Sequence, residues 1–203
     1  LWTVNATLAT PLAWASAFNQ LLCAALMLAA FGARLRWLES GASRWRWAEA
    51  AAFLTGFGVL EIVVMYPAVA LLHAACAARA RWRSALWMFA PAVAFAALHQ
   101  FAIPKTASPV YQRFFDARLP GTLWQYVQWT IAPWLLEERS AARQSLGIAA
   151  AWVLAIALAI FVLLQLRRGQ WLAAFCVGWF GLWLAPVLPL ANHISDYYLT
   201  LPG

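Results

Sequence analysis

The sequence predicts an all-α fold: a polytopic transmembrane helical bundle of about six spans, with one further helix lying in the membrane interface or re-entering it. Three observations carry that expectation. Hydrophobic residues make up 65% of the chain and charged residues only 10%, against about 25% charged in a soluble domain; mean hydropathy is +0.71. Arginines fall in short clusters between apolar runs, the pattern that marks cytoplasmic loops. Many of the 14 tryptophans stand at the ends of those runs, where an indole is favoured at the membrane–water boundary. The same arginine clustering accounts for the net charge of +7 without a nucleic-acid partner. Cys23, Cys76 and Cys176 sit in apolar runs with neither metal-like nor disulfide-like spacing, and they read as small buried hydrophobes.

Three arginine clusters set the topology. Arg34, Arg36, Arg44 and Arg46 form the first, Arg79, Arg81 and Arg83 the second, Arg167 and Arg168 the third; all three are assigned to the cytoplasm. The first span, roughly 11–32, then runs inward. Segment 48–78 separates two clusters that belong on the same side. As one straight helix it would reach roughly 46 Å, against a hydrocarbon core of about 30 Å, and would carry one cluster outside. Two short helices joined near Leu60–Met65 satisfy both length and charge. Segment 84–104 runs outward with a kink expected at Pro91, 145–166 runs inward, and 171–190 runs outward again. Leu123 to Leu136 is too short to cross and rich in Trp and Tyr, so it is read as the interfacial helix. The chain starts at Leu1 and ends on Pro202-Gly203, and 1–203 reads as one transmembrane domain, the C-terminal part of a longer membrane region.

This topology gathers the unusual polar residues at the extracytoplasmic surface: Asn5, Thr10, Asn19, Gln20, Glu61, His99, Gln100, the 105–118 loop and the 192–198 turn. Glu61 is the one acid between Phe53 and Leu72, and an ionisable group at that depth costs a few kcal/mol unless paired or facing water. Two readings stand: a carboxylate bonded to a neighbouring helix, or an acid lining an outer cavity. The densest cluster follows the prolines Pro186 and Pro189: Asn192, His193, Ser195, Asp196, Tyr197 and Tyr198. Such a turn, leaving the bilayer and returning at once to apolar residues, is placed to face a ligand. Tyr197 and Tyr198 could stack on a sugar face or anchor the turn at the interface. No phosphate loop, dinucleotide glycines or zinc spacing among His73, His99 and His193 is present, and His73 reads as a packed histidine.

Three stretches carry a family likeness. Asn5 to Leu22 is similar to a His-Pro-x-His-x-Glu-x-Val-x-Trp segment with its charged turn; Trp14 matches, while Asn5 stands for the histidine, Thr10 for the glutamate, and Phe18, Asn19 and Gln20 for the turn. Val59 to Pro67 is similar to Ser-Lys-Glu-x-x-Val-x-x-Pro through Glu61 and Pro67, with Leu60 in place of the lysine. The C-terminal stretch is similar to Leu-x-Pro-x-x-Asn followed by Arg-Tyr-Leu-Tyr-Leu-Pro; Tyr198, Leu199, Leu201 and Pro202 match, while Asp196 and Thr200 depart. On these residues the chain resembles the GT-C type membrane glycosyltransferases, in particular the polytopic half of the tetratricopeptide-linked O-mannosyltransferase-like proteins and their bacterial relatives. The resemblance implies transfer of a sugar from a polyprenyl-phosphate-linked donor on the extracytoplasmic face of the membrane; the richness in alanine, arginine and tryptophan hints at a bacterial inner membrane. It also implies possible assistance by a divalent cation, and catalytic acids upstream of Leu1; no cofactor is evident in the residues themselves.

Inverting transfer needs a carboxylate to deprotonate the acceptor and groups to stabilise the departing phosphate. Glu61 is the candidate catalytic residue on these grounds. Asn192, His193, Asp196, Tyr198, Arg113 and Lys105 are the candidate donor-binding residues, with Arg118 a further cation near the phosphate depth. The competing class is a non-enzymatic membrane protein, a transporter or lipid-handling scaffold, which would also gather polar groups around broken helices.

Overall fold

A computed structural model describes residues 18–102, 112–133 and 141–202, and within them the chain is all-helical. The helices are α1 (Phe18–Ser40), α2 (Ser43–Gly56), α3 (Tyr66–Ala77), α4 (Phe89–Phe101), α5 (Leu119–Ile131), α6 (Ala141–Arg167) and α7 (Trp171–Leu184). Short 3-10 segments occupy Glu61–Met65, Arg79–Met88 and Asp196–Leu199.

Among the described residues three stretches are long and apolar enough to cross a membrane: Phe18–Ser40, Arg79–Phe101 and Gln144–Arg167. The remaining apolar helices, Glu61–Ala77 and Trp171–Leu184, are shorter. Regular helix in the last of them stops at Leu184 rather than continuing to residue 190. Beyond it a series of turns runs through Pro186 and Pro189, with amide bonds from Val187 and Leu188 to the Leu184 carbonyl and from Leu190 to that of Val187. Neither proline has an N–H to extend the helix. The fourteen residues of α7 span only about 21 Å.

α1 and α2 form a tight antiparallel hairpin. Gly41 adopts φ +69°, a left-handed conformation that glycine enters without steric cost, and its amide closes α1 on the Trp37 carbonyl at 2.8 Å. Alanines 24, 30 and 33 of α1 are buried, which lets neighbouring helices approach closely. α2 then breaks at residues 57–60 and the chain resumes through the Glu61–Met65 segment into α3, where Pro67 sits in the first turn and costs no hydrogen bond. The break agrees with two short helices in place of one long one. Gly56 makes the reversal possible: a Cβ there would lie 2.7 Å from Met27 Cε and 2.9 Å from Val63 Cγ2.

Segment 84–104 bends elsewhere than expected. Pro91 lies in the first turn of α4, where its missing N–H would be unpaired in any case. The departure from helical geometry comes at Arg81 (φ −113°, ψ 16°) inside the preceding 3-10 segment.

The principal core joins Met27 of α1, Phe53 of α2, Val63, Tyr66 and Val69 around α3, Met88, Trp183 of α7 and Leu201. Aromatic contacts extend it: Phe31 stacks on Phe175 at 5.4 Å, and Phe57 stacks on Phe95 at 4.6 Å. A second cluster packs Tyr126 of α5 against Leu184, Val187 and Leu199. α6 is held at its edge, with Trp124 of α5 stacked on Trp152 at 3.8 Å.

A polar knot lies inside the principal core. Arg34, read from the sequence as part of a cytoplasmic loop, is instead within α1 and completely buried. Its Nη1 donates to Glu49 Oε1 at 3.2 Å, and Tyr66 Oη donates to the same oxygen at 3.0 Å. Arg34 Nη2 reaches Ser84 Oγ at 3.4 Å. Arg34 and Glu49 are fifteen positions apart across the Gly41 turn, so the hairpin sets them side by side. A buried charge left without its partner is expensive, which explains why the pair is retained with a third ligand. Around it the three arginine clusters converge on one end of the bundle. Arg81 and Arg46 both lie over the Trp37 ring, at 5.3 and 5.8 Å, and Arg79 lies over Trp171 at 5.7 Å, just beyond Arg167 and Arg168.

Two outcomes follow for stability in detergent, read by thermal melting. Glu49→Ala strands the Arg34 charge and should cost about 3–5 kcal/mol, whereas the double exchange Arg34→Met with Glu49→Leu should recover most of that loss. Gly56→Ala should cost about 1–3 kcal/mol by overpacking, because β-branched Val63 has no alternative rotamer as free as that of Met27.

Candidate functional site

The end of the bundle opposite the arginines carries the residues singled out from the sequence. The 192–199 turn is built by α7 running out at Leu184 and by apolar anchors on either side. Val187 and Leu199 are buried, and Thr200 Oγ1 donates to the Tyr197 carbonyl at 2.7 Å. Trp179 Nε1 donates to the Leu201 carbonyl at 3.3 Å, tying the tail back along α7. The His193 amide donates to the Leu190 carbonyl at 2.8 Å.

Within the turn the side chains are packed together. His193 Nε2 and Tyr197 Oη are 2.7 Å apart and hydrogen-bonded. The His193 ring meets Tyr198 edge-on at 5.9 Å, and Tyr197 and Tyr198 lie 4.6 Å apart. Asp196 opens the 3-10 segment, where a carboxylate suits the positive end of the helix. Asn192 is exposed, while His193, Asp196, Tyr197 and Tyr198 are half-buried.

α5 closes the turn from one side. Thr122, Tyr126 and Trp129 fall at i, i+4 and i+7 on one helical face, and Thr122 and Tyr126 are buried. Burial pushes the Tyr126 phenol above its ordinary range, nearby Tyr197 and Asp196 add to the rise, and the Ser195 amide partly offsets it. The phenol therefore stays neutral at physiological pH. The approach of the Ser195 amide falls short of a full hydrogen bond: among the described residues the Tyr126 hydroxyl has no partner. Sequence reasoning passed over Tyr126; the i, i+4, i+7 spacing was the signal that could have found it.

The other candidates are placed as follows. Glu61 is exposed at the first residue of its 3-10 segment. No hydrogen bond or ion pair joins it to His193 among the described residues, yet the two regions share a foundation, since Val63 and Leu201 belong to one core cluster. Arg113 is exposed beside Phe114, whose amide donates to the Pro189 carbonyl at 2.8 Å and so brings this stretch to the proline turns. Arg118 is engaged: its Nε donates to Asp116 Oδ2 at 3.1 Å and its guanidinium covers the Phe114 ring at 3.6 Å. Lys105, Asn5 and Thr10 lie outside the described residues. Among the described residues no three His, Cys, Asp or Glu side chains gather as metal ligands. His73 packs edge-on to Phe31 at 5.2 Å, far from any ligand role.

These features define a class: a protein all-helical within its described residues, with three helices there long and apolar enough to span a membrane, and a packed aromatic–polar turn at the end away from its three arginine clusters. No family model, curated protein or solved structure matches the chain.

Removing the Tyr126 hydroxyl relieves an unsatisfied buried group, so Tyr126→Phe should leave the melting temperature unchanged or slightly raised. Tyr126→Ala should cost about 3–5 kcal/mol through the cavity it opens beside Leu199.

Proposed function

We propose that this chain is the membrane-embedded part of a glycosyltransferase of GT-C type, drawing a sugar from a polyprenyl-phosphate donor at the extracytoplasmic face of a bacterial inner membrane. In this reading the arginine-rich end is cytoplasmic. The helices make about six passes, with α2, α3 and α7 crossing as short broken elements. The observation that carries the proposal is the 192–199 turn, where an imidazole bonded to a phenol, a carboxylate and a second tyrosine are held between two apolar anchors. The phosphate of a lipid-linked sugar lies at the depth where this turn would leave the bilayer.

The chemistry assigned to the site needs few parts. A carboxylate, for which Glu61 is the candidate here, takes the proton of the acceptor hydroxyl. The acceptor oxygen then bonds to the anomeric carbon, and the bond from that carbon to the phosphate oxygen breaks with its electron pair going to the phosphate. Arg113, Lys105 and His193 would neutralise that departing charge. Asn192 and Asp196 would bond sugar hydroxyls, and Tyr198 would cover a sugar face.

In the intact protein, His193→Ala and Asp196→Asn should each lower transfer from a polyprenyl-phosphate sugar by roughly 10- to 100-fold, the scale of losing a charge-stabilising or orienting group. Membrane insertion and melting temperature should stay nearly unchanged. Full activity in both variants, or loss only through unfolding, would make the turn a structural lock and leave the non-enzymatic scaffold as the better reading.

A further inference from the structure

The arginine-rich end holds a groove that plays no part in the proposed transfer. It is a shallow, open depression of about 440 Å³, lined by Leu71 and Ala75 of α3 together with Arg79 and Trp82 of the following 3-10 segment. Its walls are apolar apart from one guanidinium, and that guanidinium is held in place. Arg79 Nε donates to the Ala75 carbonyl at 3.1 Å, and the group lies over the Trp171 ring at 5.7 Å. With Nε engaged, the two Nη groups have no hydrogen-bond partner among the described residues, and they form the edge that pairs bidentately with a phosphate. Arg83 rests over Trp82 at 5.7 Å, adding a second cation close to the groove.

We propose that this groove is a binding site for one anionic phospholipid, with its phosphate on Arg79 and an acyl chain along Leu71, Ala75 and Trp82. Charge complementarity selects the occupant. With Arg34 and Glu49 neutralising each other in the core, eight arginines of the three clusters stand at this end against Glu39. Tryptophans at 37, 82 and 171 fit the depth of lipid headgroups, where an anion meets the groove from the membrane side. The positive-inside rule accounts for the arginines as loop charges, but it requires neither an apolar groove nor a guanidinium tethered at its rim.

The test uses the intact protein reconstituted in bilayers of phosphatidylcholine with a minor share of phosphatidylglycerol, then extracted mildly and analysed for retained lipid by mass spectrometry. The wild type should retain phosphatidylglycerol in excess of its share. Arg79→Gln should reduce that retention about tenfold, as expected for the loss of one charge-assisted contact, and Ala75→Leu, which fills the groove at an exposed position, should reduce it to a similar extent by displacing the acyl chain. Arg44→Gln removes the same charge at the same end but outside the groove and should leave retention intact. Equal losses for Arg44→Gln and Arg79→Gln would show diffuse attraction, and unaltered retention in Ala75→Leu would show anion binding without an acyl site; either result overturns the proposal.

Discussion

The contact between Arg34 and Glu49 is the interaction on which the rest of the bundle depends. A guanidinium inside a helical core is tolerable only beside a carboxylate at hydrogen-bond range, so α1 and α2 must stay in one register. Tyr66 donates to the same carboxylate oxygen, which extends the constraint to α3, and Ser84 extends it to the 3-10 segment before α4. Four consecutive parts of the chain are thus positioned by a single shared oxygen and its partner. The apolar cluster of Met27, Phe53, Val63 and Trp183 packs around that arrangement and supplies the area, but it is adaptable where the ion pair is not.

The two ends of the molecule differ in their chemistry. At one end the cations lie over indole faces, a pairing that keeps guanidinium groups at the interface without burying them. At the other the polar residues are neutral or acidic in the main, and phenols and an imidazole crowd together. The same short helices link both ends. α3 begins at Tyr66 towards the end that carries the 192–199 turn and finishes at Ala77 beside the arginines, and α7 runs back from Trp171 to Leu184. Their close approach is shown by Gly178, where a Cβ would collide with the Leu72 side chain.

Much of the architecture could be read from composition and charge. Arginine spacing and length together required segment 48–78 to double back; the helix breaks at residues 57–60, just ahead of the Leu60–Met65 junction expected, and Glu61–Met65 is itself a 3-10 turn leading into α3. Helix ends were less legible. α7 ends at Leu184 and the bend before α4 falls at Arg81, because turn-by-turn hydrogen bonding decides such boundaries and hydropathy is blind to it. Arg34 illustrates a deeper limit: in a linear reading it belongs with Arg36, and only the side-by-side packing of two helices separates a buried ligand from a surface cation. For the 192–199 turn, the residues stood out by their density, but their mutual contacts and the covering role of Tyr126 depend on α5 folding onto them from about seventy positions away.

The exposure of α6 has a consequence for how this sequence can change over time. Most of its apolar window faces outward, and Trp152 is its main fixed point against α5. If that outward face meets lipid tails, they would accept leucine, isoleucine, valine, alanine and phenylalanine almost interchangeably, so the helix would be constrained in its overall greasiness and hardly at all in residue identity. Lineages sharing this ancestry would therefore lose recognisable similarity along α6 first. The memory of common descent would survive longest in the hairpin around Gly41, where Arg34 and Glu49 can change only together and Gly56 leaves no room for a side chain.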